Sequence, residues 1–160
     1  MFKYGCCFLL LMGFLACNNN LEFSRYQSLK GGNWAADESV HFEFTAPDTV
    51  NRHQLFIHVR NEDSFPFSNL FLITELTFPG GNTIRDTLEY EMAYPDGRWM
   101  GKGSGSLKEN KLWYKENIVF PFNGVYTLEL NQAMRKNGSV SGLEALPGIT
   151  DVGLEIETGN

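Results

Sequence analysis

The sequence predicts an all-β protein: an antiparallel β-sandwich of about eight strands, jelly-roll or immunoglobulin-like in arrangement. Three observations point there. Apolar and polar residues alternate with a period of two along segment after segment, the mark of a strand buried on one face. Clusters of Pro, Gly, Asn and Asp separate these segments at intervals of roughly ten residues. No segment carries an apolar stripe at helical spacing over three turns, so no helical layer is expected.

The first element along the chain stands outside that fold. Lys3 is followed by an uncharged apolar run, Cys6 to Ala16. The run falls short of the ~20 residues needed to cross a bilayer, and it suits the apolar region of a secretory signal that is removed. Phe14-Leu15-Ala16-Cys17 then resembles the bacterial lipobox, with Phe14 where Leu is usual. The expectation is a signal peptide over 1–16 and lipid on Cys17, which becomes the mature N-terminus. Cys6 and Cys7 leave with the signal. No thiol then remains for a disulfide, a zinc site or a nucleophile, and the fold rests on its core.

Several acyl chains on one Cys anchor a protein stably where a single chain does not. A membrane is therefore an expected partner without any basic patch. Residues 17–24 read as the lipidated Cys and a short polar tether, and 25–160 as one β-sandwich domain. Asn18 holds the position where Asp retains lipoproteins at the inner membrane of enteric bacteria, and no acidic cluster follows. The expected location is the outer membrane, facing the periplasm.

The strands follow in order. Val40, Phe42 and Phe44 alternate with His41, Glu43 and Thr45. Leu55, Ile57 and Val59 repeat the pattern, with Phe56, His58 and Arg60 on the other face. Leu70 to Phe78 is apolar on both faces and reads as a central strand. After the turn Pro79-Gly80-Gly81-Asn82, Ile84, Asp86, Leu88 and Tyr90 alternate with Arg85, Thr87 and Glu89. That register puts Asp86 on the core side, where it needs a basic partner or a turn to cap. A short strand is expected over Arg98 to Lys102, then Lys111 to Phe120, Val125 to Asn131 and Val152 to Glu157, with one helical turn over Gln132 to Lys136.

Charge and motifs exclude several functions. Lys plus Arg number 13 against 19 Asp plus Glu, a net charge of −6, with no basic block to displace counterions from phosphates. Nucleic acid is not an expected partner. His41, His53 and His58 show no metal-ligand spacing, and solvated positions are expected for them. Gly101-Lys102-Gly103-Ser104-Gly105-Ser106 lacks the spacing and the Ser or Thr of a phosphate loop, so it reads as a hairpin loop. No catalytic residue, metal or cofactor is expected.

Five stretches carry a resemblance: Phe65 to Leu72 (FPFSNLFL), Asp86 to Ala93 (DTLEYEMA), Pro95 to Trp99 (PDGRW), Lys111 to Asn117 (KLWYKEN) and Gly148 to Gly153 (GITDVG). In this order they resemble the gliding-motility lipoprotein family GldH of Bacteroidetes. The resemblance implies a non-catalytic accessory lipoprotein of the gliding and type IX secretion machinery, with other envelope proteins as partners. From the residues themselves, loop aromatics are the better binding signal, because Trp and Tyr dominate interface hot spots. Trp99, Trp113, Tyr114, Phe65 and Phe67 are the candidate contact residues. A row of exposed aromatics along one face would instead favour a glycan-binding module.

Overall fold

The computed structural model describes residues 20–159. The expected signal peptide and Cys17 lie outside the described residues. Ten strands form: β1 (Leu21–Ser28), β2 (Asn33–Ala35), β3 (Val40–Thr45), β4 (His53–Asn61), β5 (Asn69–Thr77), β6 (Thr83–Glu91), β7 (Lys108–Ile118), β8 (Val125–Gln132), β9 (Ala145–Pro147) and β10 (Ile149–Thr158). A short 3₁₀ turn, Lys30–Gly32, separates β1 from β2.

Every pairing is antiparallel, in two four-stranded sheets of order β1-β10-β4-β7 and β3-β8-β5-β6, with β2 and β9 as a small separate pair. The main strands pair from the outside of the chain inward: β1 with β10, β3 with β8, β4 with β7, and β5 with β6. That is one long hairpin, turned at 78–82, whose two arms wrap together around the core. The wrapping sends successive strand pairs to alternate sheets and brings β10 beside β4 and β8 beside β5. This order is the jelly roll. It settles the choice that strand count alone left open.

The core lies between the sheets. Leu55, Ile57, Leu154 and Ile156 come from one inner face, and Phe42, Leu72, Leu128 and Leu130 from the other, all essentially inaccessible. Burying each such side chain stabilises the fold by about 1.5–3 kcal/mol. Trp34 of β2 is fully buried and donates its indole N–H to the Glu38 carbonyl at 2.8 Å, which ties the small pair into the same core.

The sequence reading differs from the structure at a few places, each with a physical cause. β1 begins at Leu21 and so takes in part of the expected tether. It is an edge strand, with a side free of partners, and its burial lacks the clean alternation that marks a strand in sequence. Arg98 to Lys102 forms no strand and makes only single bridges, Ala93 to Trp99 and Lys102 to Glu109. Gln132 to Lys136 is not helical. The Ala133 N–H donates to the Phe71 carbonyl, so the chain continues alongside β5 past the end of β8, and the Met134 N–H donates to the Gln132 side chain. Asp86 does face inward, and Lys115 reaches it at 2.7 Å.

The sandwich has two ends with different loops. At one, the chain enters through Asn20, whose carbonyl accepts from the Thr158 N–H at 2.7 Å, and the loops 46–52, 78–82 and 119–124 gather. At the other lie the loops 62–68, 92–107 and 133–144.

Candidate functional site on the outer face of one sheet

The strand register builds the outer face of the β1-β10-β4-β7 sheet in rows. One row is Ser28, Asp151, Arg60 and Glu109; the next is Tyr26, Gly153, His58 and Lys111; a third is Ser24, Glu155, Phe56 and Trp113. Gly153 sets the arrangement. A Cβ there would lie 2.8 Å from the Tyr26 ring, so the missing side chain is the space into which Tyr26 folds. From that position its ring meets His58 at 5.5 Å, and its hydroxyl donates to Glu109 at 2.5 Å.

His58 is therefore covered although it belongs to the outer face, and it is 5% exposed. Its Nδ1 lies 3.2 Å from Glu109 and its Nε2 3.2 Å from Glu155, the latter without hydrogen-bond alignment. Arg60 stacks over the Tyr26 ring at 4.5 Å and reaches Glu109 at 3.4 Å. Burial pushes the Glu109 carboxyl up, but the Tyr26 hydroxyl, Arg60 and His58 outweigh it and hold its pKa below the usual value. Burial likewise pushes the Tyr26 hydroxyl up, and the carboxylate it donates to adds to this.

Lys111 anchors the neighbouring row. Its ammonium sits 2.5 Å from Glu155, 2.6 Å from Glu157 and 4.0 Å above the Phe56 ring. Burial disfavours the ammonium, yet the two carboxylates outweigh that and raise its pKa above the ordinary lysine value. Trp113 also packs on Phe56, ring to ring at 4.3 Å. Its own surface stays 50% exposed. Alternation along β7 puts Trp113 outward and Tyr114 inward, and an extra residue opposite the Leu55–Phe56 step then sets Lys115 beside Leu55, on the side where it reaches Asp86. A second irregularity follows at Asn117, a left-handed residue (φ 51°) that exchanges hydrogen bonds with Gln54 at 3.0 Å each.

The candidate contact residues thus separate. Tyr114 and Phe65 belong to the core, at 8% and 2% exposure. Phe67 and Trp99 are half-buried against it, and Trp99 donates its indole N–H to Asp63 at 3.0 Å. Phe65, Phe67 and Trp99 pack together and join the loops 62–68 and 92–107 at the end away from chain entry. Gly148 locks this cluster, since a Cβ there would meet the Phe65 backbone nitrogen at 2.2 Å. Of the five, Trp113 alone is exposed, and the aromatics form no row along a face. The histidines also differ from expectation. His41 is exposed, but His53 and His58 are buried on opposite faces of β4, so the two cannot share a ligand.

Tyr26, Phe56, Glu109, Lys111 and Glu155 were missed as site residues. One signal existed for them: Phe56, His58 and Arg60 alternate with an apolar set, and large side chains on both faces of a strand call for something over the second face.

Fold and face together define, among the described residues, a jelly roll that presents a charged and aromatic sheet surface. The profile of the family described as GldH lipoprotein matches residues 22–156. The gliding motility lipoprotein GldH homolog of Christiangramia forsetii is 48% identical over 144 residues, 90% of this chain and 88% of that protein. The gliding motility lipoprotein GldH of Flavobacterium johnsoniae is 44% identical over 142 residues, 89% of this chain and 87% of that protein. This chain belongs to the GldH lipoprotein family. Among solved structures, the VP2 subviral particle of infectious bursal disease virus aligns over 88% of this chain and 31% of its own, at 13% identity and TM-score 0.36. That likeness is too slight to bear on function, and the chain spans about a third of that protein.

Proposed function

We propose that this chain is a non-catalytic docking subunit of the gliding and type IX secretion machinery, anchored by lipid on Cys17 at the outer membrane and facing the periplasm. Family membership supports the machine, and the outer face of the β1-β10-β4-β7 sheet supplies the surface. The observation that carries the docking reading is Trp113, a half-exposed indole held against Phe56 and beside the paired Lys111. A large aromatic fixed in place by its neighbours loses little entropy on binding, which is why such residues become hot spots. The salt-bridged rows around it are satisfied within the face, so a partner need not supply charges to unpaired groups.

Tethering completes the mechanism. Confinement to one membrane surface raises the effective concentration of the domain near other anchored proteins, so a modest patch reaches high occupancy. The test is complementation. Cells lacking the chain and supplied with Trp113→Ala are expected to hold normal levels of membrane-bound protein yet secrete little type IX cargo. Supplied with His41→Ala, altered on the opposite sheet, they are expected to secrete normally. Full secretion by the Trp113→Ala cells would refute the proposed face. Release of a Cys17→Ala protein from the membrane fraction checks the anchor separately.

A further inference from the structure

Exposed apolar residues are not spread evenly over this domain. Ten large hydrophobic side chains are exposed among the described residues, and six of them, Leu21, Val50, Ile84, Val119, Phe122 and Val125, lie at the end where the chain enters. They come from the start of β1, three separate loops or loop edges, and the first residue of β8. Those loops form one continuous rim. The Ala46 N–H donates to the Gly124 carbonyl at 3.3 Å, and a Cβ on Gly124 would lie 3.0 Å from Pro79, so the 46–52, 78–82 and 119–124 segments touch.

The rim is also built, not frayed. The Tyr126 hydroxyl is buried beneath it, donating to the Phe122 carbonyl at 2.9 Å and accepting from the Phe122 N–H at 3.2 Å, which fixes the loop while the Phe122 ring stays 52% exposed. Asp48 accepts from the backbone of Val50 at 2.8 Å and of Asn51 at 2.6 Å, which holds Val50 at the loop tip, 81% exposed. Soluble domains rarely gather exposed apolar side chains in this way without something to cover them.

Covalent geometry says what covers them. Cys17 precedes Leu21 by four positions, a span of at most about 14 Å even when fully extended. A domain of this size has a radius of gyration of about 14 Å, so the leash is no longer than the domain's own radius. A lipid on Cys17 therefore brings the entry end, and not the far end, against the bilayer. We infer that this rim rests on the membrane, with Val50, Val119, Phe122 and their neighbours buried in the lipid headgroup layer. The inference rests on the lipidation of Cys17. It also fixes what faces the periplasm: the outer sheet face with Trp113 stands at the side, and the Phe65–Trp99 end points away from the membrane.

Charge need not drive this contact. Three ionic groups near the rim are engaged locally, Arg52 with the Asn117 carbonyl at 3.1 Å, Glu22 with Thr158 at 2.7 Å, and Asp48 with its own turn. Contact by apolar burial should persist at high salt.

The mature sequence has no cysteine besides Cys17, which makes single-site labelling direct. Full-length lipidated protein carrying Val50→Cys, Phe122→Cys or Val140→Cys is labelled with a polarity-sensitive fluorophore. It is then reconstituted in phosphatidylethanolamine–phosphatidylglycerol vesicles with a nitroxide-bearing lipid as quencher. Val140 is 91% exposed at the far end and serves as the reference. The expected result is a blue shift and lipid quenching at positions 50 and 122 and neither at 140. Vesicle-bound protein with positions 50 and 122 in water would overturn the inference while leaving the anchor intact. Positions shielded from an aqueous quencher but untouched by the lipid one would overturn it in favour of a protein partner. Failure of the protein to float with vesicles at all would instead fall on the lipidation of Cys17, and the inference would go with it.

Discussion

Neighbouring residues of β7 make opposite demands on the fold, and their substitution separates surface from core. Tyr114 is 8% exposed and packed in the core; Trp113 is 50% exposed on the outer face. Tyr114→Ala removes a buried ring and leaves a cavity, a change that costs about 3–5 kcal/mol. Trp113→Ala strips roughly half of a Trp contact area, on the order of 100 Å², from a surface site where water fills the space. At about 25 cal/mol per Å² that is an upper bound near ~2.5 kcal/mol, and partial relaxation of Phe56 and Lys111 brings it to about 1–2.

For a domain of this size each kcal/mol moves the melting temperature by ~4 °C, so the expected losses are roughly 15 °C for Tyr114→Ala and roughly 6 °C for Trp113→Ala. Tyr114→Phe is the control. Burial pushes the pKa of the Tyr114 hydroxyl up to about 12 against an opposing pull from the Thr74 hydroxyl beside it, and neither hydroxyl makes a well-aligned hydrogen bond, so removal of the Tyr114 hydroxyl should leave stability nearly unchanged. Thermal and urea unfolding of the three purified variants give the answer. Equal losses for the two Ala variants, or a large loss for Tyr114→Phe, would contradict the placement of these side chains on opposite faces of β7.

Other outcomes follow from single contacts. Gly153→Ala puts a methyl 2.8 Å from the Tyr26 ring, so the ring must lift off His58 and Glu109; a cost of about 1–3 kcal/mol is expected in urea unfolding, and an unchanged midpoint would show the stacking to be unimportant. His53 is fully buried with neither ring nitrogen hydrogen-bonded, and its nearest carboxylate, on Asp48, is 3.7 Å away; His53→Leu is expected to preserve or raise stability, whereas a loss above about 1 kcal/mol would reveal an unrecognised partner. Asp48 has its pKa drawn down to about 2 by hydrogen bonds from the Asn51 backbone and side chain and the Val50 backbone. Its folded value lies below the unfolded one of ~3.9, so its contribution is present above that pH and lost as pH falls toward 2. The stability gap between wild type and Asp48→Asn should therefore shrink across that window, and a constant gap would refute the assignment.

The fold was largely legible because most of its strands obey a simple rule. Val40, Phe42 and Phe44, or Leu55, Ile57 and Val59, each face a single core, and burial writes their period of two into the sequence. β1 shows no such alternation: backbone bonds to β10 hold it, and none of its side chains is fully buried. Strand order was out of reach for a related reason: alternation says which side chains point inward and nothing about which strand lies alongside.

The candidate site was less legible. Trp99 and Trp113 look alike in sequence, each in a polar setting, and only the fold shows one hydrogen-bonded to Asp63 and the other open. The Tyr26–Glu109–His58 cluster joins residues from three strands far apart in the chain, with Gly153 as the enabling gap. The expectation for Cys17 rests on linear sequence alone, since it lies outside the described residues.

Site-specific photocrosslinking in intact cells tests the docking surface most directly. A photoreactive residue at position 113 is compared with one at position 43, exposed on the opposite sheet. The expected result is a discrete crosslink to another envelope protein from position 113 and none from position 43. No crosslink from position 113, in cells where the protein is membrane-bound and at normal level, would contradict the docking role.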